Sequence, residues 1–441
     1  MVGSSLLSRC AGEMPWPVNG RPSRVWFVQE PTLEGSMTIE AVFAGTSTCA
    51  QDVTLRASVE MGSTGWLVTS RASNQDKVQR RRTTPNDWQA LIGLLQRQQE
   101  AQGATRIVCG YEAGREGFWP YRALREAGIE ACVLDPASLA VDQRGRRTKT
   151  DRTDGLIELD AIEALDLGRR TAARPVVVPT EEQEEARQPG RTRDRLVKER
   201  SALIAYIDSA LVRVGADLPA ANQPGWLEQL AKARQWNGQP LPRNLVRDIE
   251  LAHERLMLAD RQIAALEAEV RVALISCETS GKRRRPQTRQ AAQAWAAQAS
   301  DAERRVADMA QRLSRLNGIG PVIALTLAGE VFWRDFVNRR QVGGYVGLVG
   351  AEHSSGAQRR ELGITKAGNR RARRVLGEAA WLWVEHQPDS ALTRWFNSRA
   401  PKGTSRRQRN VAIVAVARKL AVALWHYLED GLVPEGARMK G

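Results

Sequence analysis

Four carboxylates stand at positions from which they could hold a divalent cation. Glu60 lies on the first strand-like run, Glu112 at the end of a later apolar run, and Asp151 and Asp154, in KTDRTD, at the start of a helical stretch. The i,i+3 spacing of the last two puts both side chains on one helical face. Mg2+ is a hard, octahedral cation that takes carboxylates, water and phosphate oxygens, and Mn2+ accepts the same ligands. Two such ions about 3.5–4 Å apart can activate an attacking oxygen and stabilise a leaving one in phosphoryl transfer. Acids from two strands and one helix can meet at one edge of a sheet, and like charges gathered there call for a cation. Taken singly, each acid also fits a solvated strand end or a favourable charge at a helix start. Convergence is what would make them a site.

The elements needed to position these acids can be read along the chain. Val53–Met61 and Trp66–Ser70 read as strands around a Gly-Ser-Thr-Gly turn, and Lys77–Thr83 could pair with them. Pro85–Gln102 is expected to be an amphipathic helix capped by Asn86, Ile107–Tyr111 a strand, Gly117–Ala127 a helix closed by Gly128, and Ile129–Leu134 a strand. Asp151–Leu167 reads as a helix, so a mixed α/β domain with a central sheet is expected. Glu181–Val214 and Asn244–Ile275 carry Leu, Ile and Val at three- and four-residue spacing, which predicts an antiparallel helical hairpin or coiled-coil arm split around Gln223–Pro242. From Ala291 onward helices dominate, with breaks at Gly318–Gly320, Gly343–Gly368 and Pro401–Ser405.

A second set of residues is cationic. Residues 281–441 hold 29 Lys and Arg against 13 Asp and Glu, whereas residues 1–280 hold 36 against 37, so the net charge of +15 comes from the C-terminal part. A polyphosphate partner is the natural reading, because Lys and Arg displace condensed counterions from nucleic acid. In ITKAGNRRARR, Lys366, Arg370, Arg371, Arg373 and Arg374 offer phosphate contacts. Gly318-Ile319-Gly320 before an apolar helix resembles a helix-hairpin-helix grip, in which the backbone N–H groups around Gly318 and Gly320 meet a phosphate. Arg406, Arg407 and Arg409, after Pro401-Lys402-Gly403, are expected in a flexible cationic loop, and GKRRRPQ (281–287) in another. Trp333, Trp381, Trp383, Trp395 and Trp425 read as packing anchors.

Five scattered cysteines without a CxxC pair and four dispersed histidines argue against a zinc site and for a reducing, cytoplasmic setting. The absence of a secretion signal and of a long uninterrupted apolar run predicts no membrane association.

Three blocks carry a resemblance. YEAGREGFWPYRALREAGIEACVLDPASLAVDQRGRRTKTDRTDG (Tyr111–Gly155) resembles the DEDD, RuvC-like domain of the insertion sequence 110 transposase family. LNGIGPVIALTLAGEV (Leu316–Val331) and VGLVGAEHSSGAQRRELGITKAGNRRARRVL (Val346–Leu376) resemble that family's Transposase 20 domain. The resemblance implies an α/β RNase H-like (RuvC-like) N-terminal domain, a long helical coiled-coil arm and a mainly α C-terminal domain. The corresponding division is a poorly ordered extension over 1–50, the catalytic domain over 51–175, the arm over 176–285 and the serine-carrying domain over 286–441. It further implies cleavage, strand exchange and rejoining of donor and target DNA, guidance by a structured bridge RNA, and action as a homo-oligomer, a dimer or tetramer.

The acidic quartet carries over as Glu60, Glu112, Asp151 and Asp154, holding Mg2+ or Mn2+. The family's first acid is usually Asp in a GIDV-like strand, whereas this strand reads ASVEMGSTGWLV; Glu60 takes the position, with Asp52 as the alternative. The family's catalytic serine falls on His353-Ser354-Ser355-Gly356, where Ser355 is the choice and Ser354 the alternative. A serine joined to DNA phosphate conserves phosphodiester energy through strand exchange. Two other readings stay open: a metal-dependent nuclease or resolvase that uses water, and a decayed copy that only binds nucleic acid.

Overall fold

The computed structural model describes residues 52–139, 151–169, 171–278, 285–355 and 358–440, with residues 151–152, 351–355 and 358–362 described by their backbone alone. The expected extension over 1–50 and Gly281–Arg284 of the expected basic loop lie outside the described residues. The chain divides into two compact units, up to Pro179 and from Thr180 onward.

The first unit is built on a five-stranded sheet of order β3-β2-β1-β4-β5, from β1 (Thr54–Met61), β2 (Trp66–Ala72), β3 (Gln79–Thr83), β4 (Arg106–Glu112) and β5 (Glu130–Leu134). β2 runs antiparallel to both β1 and β3, while β4 runs parallel to β1 and β5 to β4. The helices α1 (Trp88–Gln102) and α2 (Trp119–Glu126) supply the connections that parallel strands require. Alternation along β1 sets its two faces. Leu55, Ala57 and Val59 join the core built with Leu91, Leu95 and Leu124, whereas Arg56 and Ser58 meet α3 (Asp151–Asp166) on the other face. The cap of α1 is Asp87, whose side chain accepts from Ala90 N; Asn86, the expected cap, instead adopts φ +61° just ahead of it.

α3 is seated closely. A Cβ on Gly110 of β4 would lie 2.7 Å from Cys132 Sγ and 2.8 Å from Ile162 Cδ1, and one on Gly155 would lie 2.8 Å from Thr69 Oγ1. Ser58 Oγ donates to Gly155 O at 2.6 Å. At the other end of the helix, Arg56 and Arg106 both pair with the buried Asp166 carboxylate, at 2.7 and 2.8 Å.

The second unit contains α4 (Glu181–Glu185), α5 (Gln188–Val212), α6 (Trp226–Lys232), α7 (Arg243–Ser276), α8 (Pro286–Gln298), α9 (Asp301–Ser314), α10 (Pro321–Glu330), α11 (Arg339–Tyr345), the strands β6 (Gly350–Ser355) and β7 (Gln358–Ile364), and α12 (Arg370–His386), α13 (Ala391–Arg399) and α14 (Arg406–Glu429). α5 and α7 lie antiparallel, as their pairings Arg193–Glu267, Arg200–Asp260 and Tyr206–Asp248 require. The segment expected only as a break between them contains α6, whose Trp226 is buried and stacked on His253 with ring centroids 5.1 Å apart.

The main core of this unit joins Leu313, Leu327, Val375, Leu376, Trp383, Val416, Leu420 and Leu424 from α9, α10, α12 and α14. By length and composition α14 alone among the described residues could cross a membrane, yet its Ile413, Val416, Leu420 and Leu424 are buried in that core. The expected break at Gly343–Gly368 contains the end of α11 and an antiparallel hairpin, β6 with β7, in which Ser355 pairs with Gln358.

Candidate active site and cationic surface

In the first unit, the parallel register of β1 and β4 sets Ser58 opposite Gly110. Glu60 and Glu112 each lie two residues further on, so they reach the same level at the C-terminal ends of adjacent strands, on the face that carries α3. Asp52 precedes β1, at the opposite end of that strand. It therefore shares no level with Glu112. α3 brings Asp154 beside Gly155, the residue that receives Ser58 Oγ. Asp151 opens α3 one turn earlier, with its backbone alone described.

A fifth acid, Glu158, completes the group. It is 2% exposed, and neither carboxyl oxygen receives a hydrogen bond from a donor. Burial first, then the charges of Glu60 and Glu112 and close contact with Glu60, and then Asp154, push its pKa up to about 9. Two carboxylates at that approach are both acceptors, so their contact is a hydrogen bond only when one holds a proton. The group grades from exposed Glu112 through partly exposed Glu60 and Asp154 to buried Glu158.

This donor set fits a hard divalent cation: oxygens only, crowded like charges, and a buried carboxylate without a donor. Among the described residues no three His, Cys, Asp or Glu side chains are gathered tightly enough to hold an ion as they stand. The edge strand adds cations beside the acids. Glu60 pairs with Leu67 and Leu67 with Arg82, so Arg82 shares the row and face of Glu60.

The cationic residues of the second unit fall into two groups. Lys366, at φ +56° with its backbone N donating to Gly347 O, and Arg370 are exposed and have no side-chain ion pair or hydrogen bond among the described residues. Arg371 donates to Asp194 at 2.8 Å and Glu330 at 3.0 Å, Arg373 to the carbonyls of Val346 and Ala367, and Arg374 to Asp194 and Glu378. These three are engaged within the fold. Glu330, the partner of Arg371 among these three, is 2% exposed and also accepts from Arg191 and from Asn369 Nδ2. Burial alone would raise the pKa of Glu330, but hydrogen bonds and charge from Arg191, with Asn369 and Arg371, hold it below the ordinary carboxylate range. Asn369 also caps α12 by accepting from Arg371 N and Ala372 N.

Arg406 and Arg407 are exposed on the first turn of α14, which Ser405 caps, so they belong to a helix and not to the expected flexible loop. Arg409 lies over the Trp381 ring, 5.7 Å from its centroid. At Gly318, φ is +81° and an added Cβ would lie 2.8 Å from Leu382 O, so helix packing explains this glycine. Gly320 caps α10 with open space around its Cα. Lys440 Nζ donates to Ile319 O at 2.8 Å, and Asn317 N to Arg438 O, so the C-terminal segment is joined to this turn.

Three residues escaped the sequence reading. Glu158 lies four residues after Asp154, a spacing that puts both on one helical face and could have revealed it. Arg82 is visible only through strand register, and Glu330 only through tertiary contacts.

Comparison with known proteins places these features. Residues 310–394 match the model described as the transposase IS116/IS110/IS902 family, a range that includes Ser355 and the Lys366–Arg374 cations. Residues 68–215 match an IS110 DEDD transposase model, a range with Glu112, Asp151, Asp154 and Glu158 but not Glu60. A putative transposase of Sinorhizobium fredii, y4rJ, is 36% identical over 87% of this chain and 94% of its own length. The transposases for insertion sequence elements IS1328 of Yersinia enterocolitica and IS1111A of Coxiella burnetii are each 26% identical, over 62% and 71% of this chain and 72% and 75% of their own lengths. With an α/β unit ahead of a helical one and similarity along most of its length, the chain belongs to the IS110 family of transposases.

Proposed function

We propose that this transposase is a metal-dependent DNA recombinase that cuts and rejoins donor and target DNA through a serine–DNA phosphodiester. Glu60, Glu112, Asp151 and Asp154 would hold Mg2+ or Mn2+, and Ser355 would be the nucleophile. The observation that carries the reading is the placement of Glu60 and Glu112 at one level on adjacent parallel strands, with Asp154 on the helix packed over that face. The sheet order β3-β2-β1-β4-β5, antiparallel on one side of β1 and parallel on the other, supports an RNase H-like fold for the first unit. The antiparallel α5 and α7 support the coiled-coil arm.

A bound cation would neutralise phosphate charge and polarise the scissile phosphodiester. Ser355 Oγ would form the new ester to phosphorus, the bond to a deoxyribose oxygen would break, and that oxygen would leave with a proton. The number of phosphodiesters is conserved, so the reverse attack by another DNA end needs no outside energy. Lys366, Arg370, Arg406 and Arg407 would contact phosphates, as would Arg82 beside the acids. Guidance by a bridge RNA and action as a dimer or tetramer follow from the family resemblance. A cytoplasmic, nucleoid-associated site of action completes the reading.

The test uses full-length protein with RNA transcribed from the element's flanks, Mg2+, and end-labelled donor and target DNA. A protein–DNA adduct that survives denaturation and is absent in Ser355→Ala and in Asp154→Ala is the expected result. Cleavage without an adduct, indifferent to Ser355→Ala but lost in Asp154→Ala, would instead establish a nuclease that uses water. Nucleic-acid binding without cleavage would establish a decayed copy.

A further inference from the structure

We propose that Glu158 is a further cation-holding carboxylate of this centre, a fifth acid that meets Glu60, Glu112 and Asp154 from inside α3. The inference rests on the reading of that centre as a divalent-cation site. Its first support is burial without an opposite charge or an N–H donor, its contact being the carboxyl of Glu60. Glu158 is 2% exposed and both its oxygens lack a donor. A buried carboxylate is ordinarily satisfied by hydrogen bonds or an opposite charge. The same helix shows that ordinary solution at Asp166, which two arginines pair. No such side chain reaches Glu158 among the described residues; what faces it is Glu60, Glu112 and Asp154.

Placement is the second support. Glu158 follows Asp154 by four residues and Asp151 by seven, so all three lie along one stripe of α3. The next residue on that stripe, Ile162, is core, and Leu159 beside Glu158 is fully buried. A carboxylate there adds a hard oxygen donor at the buried end of a group whose exposed end is Glu112.

The experiment is a Mn2+ titration of the full-length protein without nucleic acid, read by electron paramagnetic resonance of free Mn2+. It compares wild type, Glu158→Gln, Glu158→Asp and Asp154→Asn, with melting of each protein followed in EDTA. Glu158→Gln keeps the shape and removes the charge. It should weaken Mn2+ binding on the order of 10–100-fold, while the metal-free protein melts at or above the wild-type temperature. Glu158→Asp should fall between the two, and it decides the matter by the same criterion if the Gln variant does not fold. Unchanged Mn2+ affinity in the Glu158 variants, with affinity lost in Asp154→Asn, would overturn the role of Glu158 and leave the cation site standing. A wild-type protein that takes up no Mn2+ would overturn both.

Discussion

Glu158 and Glu330 are equally buried carboxylates, each 2% exposed, in surroundings of opposite sign. Glu330 collects Arg191, Arg371 and Asn369, whereas Glu158 faces three other acids. Removing one partner from a buried ion pair strands the other. Glu330→Ala should therefore cost about 3 kcal/mol, near the low end for such pairs because Arg191 is half exposed, as urea unfolding would measure. Because the folded-state pKa of Glu330 lies below the ordinary range, its contribution is present at neutral pH and lost as pH falls through the lowered value. The acid limb of the stability–pH profile should accordingly flatten in Glu330→Gln, and an unchanged limb would show that the hub contributes nothing. Neither acid stood out in the sequence. A carboxylate's burial is a tertiary fact, and the eye goes first to strand ends and helix starts.

At the scale of elements, α3 is the part that turns separate acids into a group, and it depends on two small residues. Gly110→Val would drive atoms into Cys132 and Ile162, lifting α3 from the sheet; overpacking of this kind costs about 1–3 kcal/mol. The expected readout is a lower melting temperature together with weaker Mn2+ uptake, while normal uptake would mean that the seating of α3 is irrelevant to the acids. On α12 and the loop before it, exposed and engaged cations should behave differently. Lys366→Ala and Arg370→Ala should each reduce the salt slope of DNA binding by roughly 1 with stability intact. Arg371→Ala should instead destabilise the fold, because it leaves Asp194 and Glu330 short of a donor.

Periodicity made most elements legible. β1, β4, α1 and α7 fall within a few residues of where apolar spacing put them, while the run expected over Glu181–Val214 is split into α4 and α5. The hairpin of β6 and β7 was not legible, since GAEHSS and QRRELGI alternate polar with polar residues and carry no apolar period. Arg406 and Arg407 read as a loop because they follow Pro-Lys-Gly, although Ser405 caps a helix there. The candidate acids were legible from residue type and spacing; the internal engagement of Arg371, Arg373 and Arg374 was not, because a helix face shows charge without showing its partner.

At the scale of the whole molecule, the candidate cation-holding acids and the basic excess occupy different parts of the chain. Those acids fall in the first unit, and the basic excess falls in residues 281–441, with 29 basic against 13 acidic residues. If the ends of β1 and β4 and the start of α3 hold one cation site, iron-directed cleavage reads it out most directly. Fe2+ substituted for Mg2+, with ascorbate and peroxide, generates hydroxyl radicals that cut the backbone near the bound ion. The expected fragments end close to Glu60, Glu112 and the Asp154–Glu158 turn together, and excess Mg2+ or Asp154→Asn abolishes all of them. Cuts confined to one of these segments, cuts elsewhere, or cuts that Mg2+ does not suppress would contradict a shared cation site.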